Sequence, residues 1–297
     1  LYEQILNNGY LLVHNSWSWD KYFMDFQKNL IDNHFVKNID KVTKVSLITI
    51  VYNNAQSIRD AIESVLSQNY NNIEYIVIDG GSTDGTVEII NEYLDQISLF
   101  ISEPDGGIYD ALNKGISNST GDVISILHSD DLFNDFYVVS DMINLMDKTK
   151  AEIGFSDTVI IDILSGKVFR YYMASYFKKW MFRVGWMPPH STCFINKSLF
   201  NELGLYSLKY KIAGDFDFLV RAFYNRDIAW THLNRVTVKM SLNGVSNLSY
   251  TNKLVIFKEI RQSLKMNNIF APFIFQSGRY LIRILEMLIK PNSSRYK

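Results

Sequence analysis

Hydrophobic and polar positions change period at short, regular intervals from residue 45 onward. Val45-Ser-Leu-Ile-Thr-Ile-Val-Tyr52 is rich in β-branched residues and predicts a buried strand, closed by Asn53-Asn54, which can cap a helix. Ile58, Ala61, Ile62, Val65 and Leu66 then recur at i, i+3, i+4, i+7 and i+8, the stripe of an amphipathic helix. Residues 69–72 break it, and Tyr75-Ile-Val-Ile-Asp79 predicts a second buried strand with the loop Gly80-Gly-Ser-Thr-Asp-Gly85-Thr86 after it. Val87, Ile90, Leu94 and Ile97 mark a second helix, Leu99-Phe-Ile-Ser102 a third strand, and residues 110–117 a further helical turn or two. The fourth strand, Val123 to Leu127, is apolar or small throughout and ends abruptly in His128-Ser129-Asp130-Asp131.

Strand and helix alternating at this spacing predict an α/β fold with a mostly parallel sheet. Right-handed crossovers then bring the loops that follow the strands to one edge. Those loops are residues 52–54, 79–86, 103–107 and 128–131. Three of the four contain Asp, and their convergence is the strongest physical argument for a site. Adjacent carboxylates at the end of a buried strand repel unless a cation neutralises them, and hard divalent ions prefer oxygen ligands. The plainer reading is a polar turn that caps the next helix.

Beyond residue 140 the rhythm changes. Residues 152–163 and 167–172 predict two strands around a turn at Ser165-Gly166. Residues 173–187 are aromatic and basic, Thr192-Cys-Phe-Ile195 predicts a short strand, and Gly214-Asp215-Phe-Asp217 opens a helix. Residues 227–240 predict one or two more strands, and the tail from 252 two helices. Before residue 44, Tyr22, Phe23, Phe26 and Leu30 fall at helical spacing, in a stretch with no evident chemistry. The expected organisation is an N-terminal extension (1–43, helical), a strand-and-helix half (44–135), a second half of different rhythm (136–245) and C-terminal helices (246–297).

Composition narrows the field only a little. The 297 residues are 47% apolar and 21% charged, as in ordinary globular proteins. A net charge of -1 leaves no global basic field to attract nucleic acid. The lone cysteine, Cys193, rules out an intramolecular disulfide framework and fits a reducing, cytoplasmic setting. No apolar run reaches the roughly 18–20 residues of a spanning helix. The start at Leu1 lacks Met and a signal-peptide pattern and reads as trimmed. In the second tail helix, Ile274, Leu281, Leu285 and Leu288 form a stripe beside Arg279, Arg283 and Lys290. Such a helix either packs on its own domain or lies peripherally on an anionic membrane face.

Two glycine-loop readings fail. Gly80 and Gly85 have P-loop spacing, but Thr86 stands where Lys is needed, and no G-x-G-x-x-G follows the first strand.

Several longer motifs run along the chain in order: Ser46-Leu-Ile-Thr-Ile-Val-Tyr-Asn53, Ser64-Val-Leu-Ser-Gln68, Ile78-Asp-Gly-Gly-Ser-Thr-Asp-Gly-Thr86, Glu103-Pro-Asp-Gly-Gly-Ile-Tyr-Asp-Ala-Leu-Asn-Lys-Gly115 and Gly121-Asp-Val-Ile-Ser-Ile-Leu-His-Ser-Asp-Asp131. Pro189-His190-Ser-Thr-Cys-Phe and Ala213-Gly-Asp-Phe-Asp-Phe-Leu-Val-Arg221 extend the series to about residue 240. Taken together, these motifs resemble the inverting family 2 glycosyltransferases of GT-A fold, in the branch that builds cell-surface polysaccharides. The resemblance makes residues 44–135 the nucleotide-sugar-binding half and 136–245 the acceptor-binding and catalytic-base half. The resemblance implies a nucleotide-sugar donor, UDP-linked by expectation, and a saccharide or lipid-linked saccharide acceptor. It implies that Thr49, Val51, Tyr52 and Asp79 hold base and ribose, and that Asp105, Asn113 and Lys114 line the donor pocket. Asp131, with Asp130 beside it, falls at the D-x-D position that binds Mn²⁺ or Mg²⁺. His190 falls on the acceptor or phosphate side, and Asp215 at the catalytic base.

Two departures stand out. His128 replaces the first carboxylate of the metal motif, and Asp79-Gly80 replaces the usual Asp-Asp after the second strand. Read from the residues alone, Asp79 can be an Asx-turn residue, Asp215 a helix cap with Asp217 the base, and His190 structural. Trp180 and Trp186 can stack on sugar or pack in the core. A catalytically inactive sugar-nucleotide or glycan-binding domain is the alternative to a transferase. A nucleotidyltransferase lacks its basic glycine loop here.

Overall fold

The computed structural model describes residues 42–162, 165–242 and 250–272, with Gly278, Ile282 and Glu286. Residues 1–41 of the expected extension and the stripe of the second tail helix lie outside them. The described residues from Thr43 onward belong to one compact unit.

The first four strands are β1 (Val45–Val51), β2 (Ile73–Asp79), β3 (Leu99–Ser102) and β4 (Val123–Ile126). Between them run α1 (Ile58–Leu66), α2 (Thr86–Asn91) and α3 (Ile108–Asn118), the last longer than its periodicity predicted. All pairings among these strands are parallel. Every residue of β1 is buried, as expected of a strand covered on both faces. The register aligns the strand ends: Val51 pairs with Asp79, and Asp79 with Ser102. The loops that follow therefore leave from one level of the edge.

The second half of the chain continues the same sheet. β5 (Leu132–Phe133) and α4 (Val138–Thr149) lead to β6 (Ile153–Ile161) and β7 (Val168–Tyr172), the hairpin expected around Ser165-Gly166. Two 3-10 helices, Lys179–Val184 and His190–Thr192, precede β8 (Phe194–Asn196). Then come α5 (Lys197–Leu203), α6 (Gly214–Asn225), β9 (Trp230–Ser241) and α7 (Tyr250–Met266). Among the described residues the strand order is β3-β2-β1-β4-β8-β6-β9-β5, with β7 on β6. Two large apolar clusters cover the sheet, one containing Ile48, Ile76 and the α6 aromatics, the other Leu47, Val77 and the α1 and α4 stripes. β5 pairs with β9 through Leu132–Lys239 and Phe133–Val238. That pairing seats the carboxylates of 130–131 against the end of β9, a contact nothing local in the sequence announced.

Candidate active site

The polar loops meet as expected, and hydrogen bonds lock them to each other. Asn53 N–H donates to Ser82 Oγ (2.7 Å), and Thr83 N–H returns to Asn53 Oδ1 (2.9 Å). Asn54 Nδ2 donates to Ser129 Oγ at 2.9 Å, tying the first loop to the fourth. Asp84 accepts from Ala55 N–H at 3.0 Å and from Thr86, holding the second loop on the start of α1.

Several expected donor residues are used inside the fold. Thr49 is fully buried, and its hydroxyl accepts from Tyr75 at 3.1 Å within the sheet. Val51 is buried, and its carbonyl accepts from Gly80 N–H. Asp79 is also fully buried: Oδ2 accepts from Gly81 N–H, Ser82 N–H and Ser102 Oγ, and Oδ1 from Ser82 Oγ. It shapes its own loop. Asn113 spends both side-chain ends on the backbone of Tyr206, at 2.9 and 3.0 Å, joining α3 to the loop before α6. Lys114 pairs with Glu103 at 2.9 Å.

Tyr52 and Asp105 face the opening. The Tyr52 ring is 65% exposed. A Cβ on Gly80 would stand 2.6 Å from Asp105 Oδ2 and 3.4 Å from the Tyr52 ring. The place where the resemblance expects a second acid after β2 is therefore filled by the carboxylate of the third loop. Gly80 makes room for Asp105.

Asp131 is buried, and Oδ1 accepts from Ser241 N–H at 3.4 Å, while Oδ2 has no hydrogen-bond partner of ordinary geometry. The nearby Ser191 hydroxyl, equally without one, only draws the carboxyl down a little against its burial. Burial, and then the charge of Asp130, push the Asp131 carboxyl well above its usual range. Burial likewise lowers the His128 imidazole, against the pull of Asp130. An orphaned, buried carboxylate oxygen beside a second carboxylate suits a divalent cation, so the residues fit the implied Mn²⁺ or Mg²⁺. Among the described residues there is no group of three or more His, Cys, Asp or Glu that could hold a metal. Any ion on Asp131 and Asp130 needs oxygen ligands from a bound molecule and water.

From this carboxylate a line of rings runs to α6. His128 and His190 lie 6.3 Å apart, His190 and Tyr206 5.6 Å, and Tyr206 and Tyr109 5.6 Å, all between ring centroids. His190 Nε2 meets the Tyr206 hydroxyl at 2.8 Å. Burial, then the neighbouring His128, lowers His190 to about 3, so it is neutral at physiological pH. The Tyr109 hydroxyl stands 2.6 Å from the Ile212 carbonyl and 3.1 Å from Asp215 Oδ1.

Asp215 begins α6, where Phe216 N–H donates to its Oδ1 at 2.8 Å. Burial raises its carboxyl to about 6, against those two hydrogen bonds and with help from the charge of Glu259. Asp217 is fully paired instead, with Arg221 Nε at 2.9 Å and Ser263 Oγ at 2.8 Å. The two acids are thus told apart by their partners. The glycine before Asp215 also has a reason, because a Cβ there would lie 2.9 Å from the Tyr109 ring.

Sequence reasoning missed Tyr109, Ser191, Ser241 and Glu259. Glu259 reaches back from α7 and accepts from the N–H groups of Lys211 (2.7 Å), Ile212 (3.0 Å) and Ala213 (2.9 Å), fixing the backbone that leads into Asp215. Tyr109 had a signal, its place in the third-loop motif; Glu259 had none. Of the open tryptophans, Trp186 is buried, with its Nε1 on Glu286 at 3.2 Å, and Trp180 is 56% exposed.

A mixed α/β sheet whose edge gathers nucleotide-type loops, a carboxylate pair and a helix-borne acid defines the GT-A class of fold. Residues 46–204 match the glycosyl transferase family 2 domain, and the chain belongs to that family. It is 35% identical to an uncharacterized glycosyltransferase of Mycobacterium tuberculosis over 188 residues, 60% of this chain and 68% of that one. A PGL/p-HBAD biosynthesis glycosyltransferase of Mycobacterium bovis shares 27% identity over 249 residues, 82% of this chain and 89% of that one. The fold is similar to Staphylococcus aureus TarS 1-349 in complex with UDP-GlcNAc (TM-score 0.59, 17% identity, 74% of this chain and 66% of that one). It is also similar to the mannosyltransferase PcManGT from Pyrobaculum calidifontis in complex with GDP-Man and Mn²⁺ (TM-score 0.58, 15% identity, 89% and 78%). The chain thus spans about two thirds of the length of the TarS fragment it resembles.

Proposed function

We propose that this chain is an inverting glycosyltransferase that moves a hexosyl or N-acetylhexosaminyl group from a nucleoside diphosphate donor, UDP-linked, to a glycan or lipid-linked acceptor in surface polysaccharide synthesis. One observation carries the reading. A buried carboxylate with an orphaned oxygen (Asp131) and a raised carboxylate (Asp215) are joined by one line of rings across a single edge.

The chemistry follows from those groups. Asp215, at about 6, is ionised at neutral pH yet basic enough to take the acceptor hydroxyl's proton. The acceptor oxygen forms its bond to the anomeric carbon as the bond to the diphosphate oxygen breaks, so the configuration inverts and nucleoside diphosphate leaves. A divalent ion held by Asp131 and Asp130 would supply charge neutralisation for that diphosphate. Tyr52 offers a face for the base and Asp105 an acceptor for its N–H, while Thr49, Val51, Asp79 and Asn113 hold the frame and Lys114 its third loop. TarS with UDP-GlcNAc, PcManGT with GDP-Man and Mn²⁺, and the family 2 match support a sugar nucleotide and a metal.

The test is the anomer first formed from an α-linked UDP-sugar, followed by proton NMR during transfer or slow donor hydrolysis. A β-product is expected, absent in Asp215→Asn. A first-formed α-product would refute single displacement.

A further inference from the structure

The strongest feature outside the active site is the outer face of α7. Leu254, Lys258, Arg261 and Lys265 recur at i, i+4, i+7 and i+11, one narrow stripe, and all four are exposed. Residues 250–272 carry four cations and one acid, and that acid, Glu259, is turned inward on the base loop. The segment therefore carries a net charge of +3 against -4 for the rest of the chain. Apolar groups stand with them: Leu254, within the stripe, is 59% exposed, and Phe270, just beyond the helix, 80%. Phe270 shares an open cleft of about 370 Å³ with Arg261, Lys265 and Ile269.

We propose that the outer face of α7, with Phe270, is a docking surface for an anionic phospholipid bilayer. Cations on one side of a helix, interleaved with exposed large apolar side chains, match headgroup charge and acyl boundary together. A soluble polyanion would use only the cations. The surface begins one helix earlier than the Arg279, Arg283, Lys290 stripe that the sequence singled out. The inference stands on this face alone and needs neither the donor nor the base assignment. Its consequence for them is orientation: the inner face of the same helix holds residues 211–213, so the side that docks is tied to the strand of backbone entering Asp215.

The test is cosedimentation of the full chain with phosphatidylcholine vesicles, with and without phosphatidylglycerol, over a salt series. Binding that requires phosphatidylglycerol and weakens with salt is expected. The triple variant Lys258→Glu, Arg261→Glu, Lys265→Glu should lose about tenfold or more in vesicle affinity, and Phe270→Ser should weaken binding without any charge change. Circular dichroism and wild-type-like thermal melts check that both variants are folded. No pelleting with phosphatidylglycerol, or pelleting unchanged in the folded triple variant, overturns the proposal. Vesicle binding indifferent to Phe270→Ser but matched by heparin also overturns it, in favour of a soluble polyanion.

Discussion

The first three loops and the strip from Asp131 to Asp215 lie on one sheet edge but are built on opposite electrostatic terms. In the loops, carboxylates are satisfied from within: Asp79 accepts from two backbone N–H groups and two hydroxyls, and Asp84 from Ala55 and Thr86. In the strip, Asp131 keeps an oxygen without a partner and Asp215 is raised to about 6. Satisfied carboxylates make a rigid frame, whereas uncompensated ones store a demand for a cation or a proton. In the proposed mechanism this difference separates what holds the shape from what does the chemistry.

The largest expected effect lies in the strip. Asp215→Asn should lower transfer about 10³-fold while leaving nucleotide binding intact, measured as kcat beside a UDP titration. Wild-type activity should fall as pH drops through about 6, the value of that carboxyl. Stability should move the other way. A carboxyl raised from 3.8 to about 6 favours the folded state below 3.8 and loses that contribution as pH rises through 6. Asp215→Asn should therefore raise stability at pH 7 by up to about 3 kcal/mol, and the gain should vanish near pH 4 in thermal melts.

The frame should respond in reverse. Asp79→Ala strands three or more donors and should cost about 2–3 kcal/mol in urea unfolding, with catalysis following only the folded fraction. Of the outward-facing pair, Asp105→Ala should weaken UDP about tenfold. Tyr52→Ala should weaken it a few-fold, as expected for a lost stacking face. If Asp79→Asn proved catalytically dead yet fully stable, the division into frame and chemistry would be wrong.

Much of this was legible in the sequence, for reasons that can be named. β1 and β2 are apolar runs bounded by polar loops, α1 carries an unbroken 3.6-residue stripe, and parallel crossovers oblige their loops to converge. Orientation was not legible. Thr49 and Asp79 belong to matched motifs, but only their burial and hydrogen bonds show the first inside the sheet and the second turned on its own loop. Asp215 could be separated from Asp217 only by contacts over long sequence distance, to Tyr109 for one and to Ser263 for the other. Glu259 is the extreme case, more than forty residues from the backbone it caps. The lost second acid after β2 and the gained Asp105 likewise became one fact only when Gly80 was seen beneath Asp105.

The most direct test of the central claim is isothermal titration of UDP and GDP into the protein, each with and without Mn²⁺. The account predicts UDP binding that depends on metal, loses that dependence in Asp131→Ala and survives Asp215→Asn. Binding of neither nucleotide with Mn²⁺ present, or UDP binding untouched by Asp131→Ala, would contradict it.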